Sequence, residues 1–196
     1  MTTRTRTRSN SSAMSDLAYI AVFTALVIVL GFVAIPVGAL GVPIVLQNAI
    51  IVLAGLVLGA RRGFLVAALF ITIGLFLPVL AGGRTTLQSL SSPTAGYLLA
   101  YLVSAPVAGA IARWVIGKSK GAQFGLFALA GFLGILTQYI GGAIGMMVRA
   151  DLGLVAAIQA QLPFVPTGLV KLAVIVIVAV GVHAAFPKLL RGESAR

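Results

Sequence analysis

Six long apolar stretches, separated by short polar or basic breaks, organise this chain; they cover roughly residues 17–35, 43–59, 64–80, 95–116, 124–147 and 165–186. Runs that approach or exceed about 18 residues with almost no charge match the length a helix needs to cross a hydrocarbon core. A helix also satisfies its own backbone polar groups there. A closed barrel would need short strands alternating in and out, and no such pattern is present. Pro36 closes the first run and Pro187 the sixth, Gly38 and Gly41 mark a turn, and Pro78 lies near the end of the third. Pro106, inside the fourth run, removes a backbone donor and predicts a kink. The pattern predicts an all-α, polytopic membrane protein with six transmembrane helices. A disordered basic tail is expected over residues 1–15, the membrane domain over 16–190 and a second tail over 191–196. The second run is the shortest fit.

One polar interruption stands out between the third and fourth runs, LAGGRTTLQSLSSPTAGYL over residues 80–98. It is rich in Gly, Ser and Thr and contains a single charge, Arg84.

With 60% hydrophobic and 9% charged residues and a mean hydropathy of +1.14, the chain is far more apolar than a soluble domain. Its net charge of +11 would suggest nucleic acid for a soluble protein, but a membrane explains it better. Basic residues collect in short loops that stay in the cytoplasm, where they meet anionic lipid headgroups. With the arginine-rich N-terminus inside, eleven basic residues fall on that side, including Arg61, Arg62, Arg113, Lys118, Lys120 and Lys188. Arg84 and Arg149 are left outside and Lys171 within the sixth run. Both termini are therefore expected to be cytoplasmic, in a multi-pass protein of the cell membrane with no nucleic-acid partner.

These exceptions carry the candidate chemistry. Lys171 and Thr167 are four apart and share a helix face. An ionisable group within a membrane span points to a functional site, although a lysine near a helix end can also snorkel to headgroups. Gln47 and Gln138 each place an amide within an apolar run, either as a ligand contact or as glue between helices. Small pairs at spacing four (Ala21 and Ala25, Gly55 and Gly59, Gly121 and Gly125, Gly141 and Gly145) let helices approach closely. Gly117-Lys118-Ser119 is not a phosphate loop, since Ala112 stands where that motif needs its first glycine. The chain has no cysteine, three acidic residues and one histidine, His183, read as interfacial. That leaves no material for a catalytic set, a metal site or a cofactor site, so an enzyme is not expected.

Several words, in order along the chain, resemble the biotin-specific substrate-binding (S) components of energy-coupling factor transporters, the BioY type. They are VPIVLQ (42–47), LAGLVLGARRG (53–63), LPVLAGG (77–83), SPTAGYLLA (92–100) and PFVPTGLVK (163–171). The family's GPTGGYL is kept here at Pro93, Thr94, Gly96 and Tyr97, with Ser92 and Ala95 replacing glycines. In the last word Gly168 stands where the family carries an acidic residue. The resemblance implies a six-helix component that captures biotin outside and docks on a transmembrane coupling protein with two ATPase subunits, through a face bearing Ala21 and Ala25. It implies a pocket in which Arg84 or Lys171 pairs with a carboxylate. Gln47, Gln138, Thr94 and Thr167 would offer polar partners, Tyr97 would pack on the ligand ring, and residues 81–94 would form a lid. An S component for another small vitamin and a structural or scaffolding membrane protein are the alternatives.

Overall fold

The computed structural model describes residues 5–32, 34–37, 42–187 and 189–190. The elements are α1 (Thr5–Gly31), β1 (Ala34–Val37), β2 (Val42–Val45), α2 (Gln47–Leu58), α3 (Ala60–Phe76), α4 (Thr86–Leu90), α5 (Ala95–Ala112), α6 (Lys120–Ala150), α7 (Leu154–Gln159) and α8 (Val165–Ala185). Four helical stretches are long and apolar enough to cross a bilayer: Ala13–Gly31, Ala95–Val115, Lys120–Ala150 and Leu154–Ala185. The fold is thus that of a helical membrane protein, with one small hairpin added.

That hairpin corrects the expected ends of the first two spans. α1 stops at Gly31, and β1 and β2 pair antiparallel with Pro36 opposite Pro43. Proline cannot donate within a helix interior, so the apolar segments around Pro36 and Pro43 leave the helix and pair as extended chain. At the other end, α1 starts at Thr5 rather than near Leu17, so most of the tail expected to be disordered is helical. Extending an existing helix costs far less than nucleating one. The expected turn at Gly38 and Gly41, Lys188 and the tail at 191–196 lie outside the described residues. Two short helices, α4 and α7, occupy stretches read as loop.

α2 is the axis of the bundle. Nearly every one of its residues is buried, and it packs on α1, α3, α5, α6 and α8. At 12 residues it rises only about 18 Å, short of the roughly 30 Å hydrocarbon core. The break before it opens space at the hairpin end of the bundle. Glycines set the close contacts: a Cβ at Gly96 would meet the backbone of Gly141 and Gly145, and one at Gly55 the backbone of Ala105. Gly121 and Gly125, by contrast, have nothing within 4 Å of a built Cβ. Large apolar side chains such as Val22, Val29, Phe32, Phe76, Val148, Val170 and Ile177 face outward, the surface expected of a bundle solvated by lipid.

The opposite, basic end is fastened by Arg62. Its Nη2 pairs with Asp16 Oδ1 at 2.5 Å, its Nη1 donates to the Leu189 carbonyl at 3.1 Å, and its guanidinium carbon lies 5.9 Å from the Tyr19 ring centre. His183 is buried rather than interfacial. Its Nε2 lies 3.0 Å from the Leu56 carbonyl, and its ring stacks on Phe127 with centroids 5.1 Å apart.

The glycine contacts make a direct prediction. Gly96→Val should lower the midpoint of thermal unfolding in detergent by several degrees because neither neighbouring backbone can yield, whereas Gly121→Ala should leave it unchanged.

Candidate functional site

A cavity of about 700 Å³, counting its open mouth, lies at the hairpin end of the bundle. The β2–α2 break forms one wall through Val45, Gln47 and Asn48, and the segment between α3 and α5 another through Leu80, Ala81, Arg84, Ser89 and Thr94. Helices α5, α6 and α8 complete it with Tyr97, Tyr101, Tyr139 and Lys171. Non-helical backbone at membrane depth is tolerated where it lines a cavity, and here it does.

Gln47 holds the wall together. Its amide nitrogen donates to the carbonyls of Val27 (3.2 Å) and Val79 (2.9 Å), and its oxygen accepts from the Ala81 N–H (3.1 Å). The amide's hydrogens are thus spent on α1 and the segment after α3, so the side chain lines the cavity as a brace. The segment itself is built by local rules. A capping box, in which Thr85 Oγ1 accepts from the Gln88 N–H and Gln88 Oε1 from the Thr85 N–H, starts α4. Thr86 Oγ1 donates to the Ile71 carbonyl at 2.8 Å and ties α4 back to α3.

The two cations face the cavity without an acid beside them. Lys171 Nζ donates to the Val45 carbonyl at 2.6 Å and to Asn48 Oδ1 at 3.2 Å. Two of three N–H donors are used and the third remains. Among the described residues Arg84 spends only its Nε, at 3.4 Å from the Ala81 carbonyl. Among the described residues the one ion pair is Arg62 with Asp16, at the far end, and no carboxylate lines the cavity. An unpaired cation in such a place is costly, so the arrangement is complementary to an anion.

The tyrosines differ in what they have left to offer. Tyr97 OH donates to Gln161 Oε1 at 2.6 Å and Tyr139 OH to the Phe164 carbonyl at 3.0 Å. Tyr101, 6% exposed and tilted against Phe70, has no hydroxyl partner among the described residues.

Of the residues singled out from sequence, the fold brings Gln47, Arg84, Thr94, Tyr97 and Lys171 to the cavity. Gln138 and Thr167 are not among its lining residues. Gln138 Nε2 donates to the Asn48 carbonyl and Ser104 Oγ, both at 3.0 Å, joining α6 to α2 and α5. Thr167 Oγ1 donates to the Phe164 carbonyl at 2.9 Å within the first turn of α8. Ala21 and Ala25 lie on the exposed side of α1, away from the cavity. Asn48, Tyr101 and Tyr139 were missed. Asn48 sits next to Gln47 and was a visible polar signal, whereas tyrosines in apolar helices read as packing.

A family model described as the BioY family matches residues 2–188. The chain is 35% identical over 181 residues to the biotin transporter BioY of Rhizobium etli, covering 89% of this chain and 96% of that one. It is 40% identical over 177 residues to the biotin transporter BioY of Rhodobacter capsulatus, covering 84% and 90%. Among solved structures it matches the S-component for biotin from an ECF-type ABC transporter with a TM-score of 0.80 and 28% identity, over 89% of this chain and 94% of that one.

Replacing Gln47 by Leu strands the Val79 carbonyl and the Ala81 N–H at the cavity rim. Each buried orphan costs about 1–3 kcal/mol, so the variant should lose thermal stability and show faster amide exchange at Ala81; unchanged exchange there would remove Gln47 as the brace.

Proposed function

Because the chain belongs to the BioY family, we propose that it is the biotin-binding component of an energy-coupling factor transporter, taking up biotin from outside the cell. The observation that carries this reading is the cavity itself, which holds Arg84 and Lys171 and, among the described residues, no carboxylate. A small carboxylate with an apolar body suits it. The valerate group would pair with Arg84 and Lys171, since charge-assisted hydrogen bonds are strongest in a site shielded from water. Tyr97 would pack its ring on the bicycle. Thr94, whose Oγ1 lies 2.6 Å from Ser92 Oγ, would be a polar contact at the mouth, and residues 81–94 would act as the lid. Gln47 would brace the pocket wall, while Gln138 and Thr167 would act from behind it.

The reading includes six transmembrane segments (α1, α2 together with the β2 strand that leads into it, α3, α5, α6 and α8), with both termini cytoplasmic and the cavity opening outward, in the cell membrane. The run of arginines and lysines at the end opposite the cavity supports that orientation. The chain carries no nucleotide-hydrolysing motif of its own, so the energy would come from a transmembrane coupling protein and two ATPase subunits. Ala21 and Ala25, exposed on α1, would meet the coupling protein, because small side chains permit close helix approach.

The carboxylate assignment has a simple readout by titration calorimetry on the purified protein. Arg84→Ala and Lys171→Ala should each weaken biotin about tenfold to a hundredfold, the range for losing a charged hydrogen bond, while affecting biotin methyl ester much less. Equal losses for acid and ester would rule the pairing out. Saturable binding of another vitamin but not biotin would redirect the reading to that ligand.

A further inference from the structure

Resting on the biotin reading above, we propose that Tyr139 supplies the hydrogen-bond acceptor that recognises the ligand's N–H groups, and that Gly168 is the residue that leaves room for it. The cavity is rich in donors and short of acceptors. Arg84 and Lys171 only donate. Asn48 Oδ1 and the Val45 carbonyl each accept from Lys171, and Gln47 Oε1 accepts from Ala81. Among the described residues the phenol oxygens of Tyr97 and Tyr139 donate but accept nothing.

Tyr139 is placed to meet that need. A phenol has one proton and two lone-pair sites, and its proton is committed to the Phe164 carbonyl at 3.0 Å. Toward the cavity it lines it therefore offers lone pairs. Its oxygen lies 2.6 Å from where a Cβ on Gly168 would stand, so any side chain at 168 would displace it. Gly168 and Lys171 are three apart on α8 and share a face, and Tyr139 and Lys171 both line the cavity. A ligand group that meets this oxygen must be an N–H or O–H donor. The ureido ring of biotin has two N–H groups flanking a carbonyl.

The test compares biotin with cyclic-carbamate analogues in which one ureido N–H is replaced by ring oxygen, a change that removes a donor with little change in shape. Wild-type protein should prefer biotin over at least one analogue. Tyr139→Phe, which keeps the ring, should weaken biotin about threefold to tenfold, the range for one neutral hydrogen bond, and should abolish that preference. Adding an acid in the vacated space, as Tyr139→Phe with Gly168→Asp, should restore it. A Tyr139→Phe protein that keeps full biotin affinity and full preference overturns the proposal while leaving biotin binding intact. A wild-type protein that binds no biotin overturns the functional reading and, with it, this inference.

Discussion

Hydrocarbon offers no hydrogen bonds, so any backbone group freed from a helix within a membrane protein must find a partner in the protein. This constraint shapes the hairpin end of the bundle. The chain leaves helical form between α1 and α2 and again between α3 and α5, and side chains answer the exposed groups one by one. Gln47 takes the carbonyls of Val27 and Val79 and the N–H of Ala81. Lys171 takes the Val45 carbonyl. The same breaks make the cavity, so the groups that repair the backbone also furnish the site.

Two of these repairs differ in kind. Gln47 is neutral and saturated, and its contribution ends with the fold. Lys171 is charged and satisfied only by neutral oxygens. It holds the β2–α2 break in place while keeping a donor and a full charge for something else. One residue therefore joins structural support to ligand selection, which ties the shape of the wall to the presence of the cation.

Much of this was legible in the sequence, and the reasons for the rest are specific. Long apolar runs identify α5, α6 and α8 well, because hydropathy and helical length agree there. The second span was misjudged because VPIVLQNAIIVL is equally apolar as strand and as helix; only Pro36 and Pro43 hinted at the switch. Lys171, Arg84 and Gln47 were visible as polar groups in apolar surroundings. Gln138 was equally visible, yet hydropathy cannot say which side of α6 it takes, and it faces Ser104 and α2. Tyr139 and Tyr101 gave no signal, since an aromatic ring in a membrane helix is ordinary and only the fold shows what its hydroxyl has left to offer. The contact of Tyr139 with Gly168 joins residues far apart in sequence.

The attachment of α1 has a mechanical consequence. Little of its apolar stretch is buried, and the helix is fastened near its middle by Asp16 to Arg62 and near its C-terminal end by the Val27 carbonyl to Gln47. The amide that grips Val27 also grips Val79 and Ala81 at the cavity rim. A sideways force on the exposed face of α1 thus has, besides its packing on α2 and α3, a direct hydrogen-bonded route through one amide to the rim of the cavity.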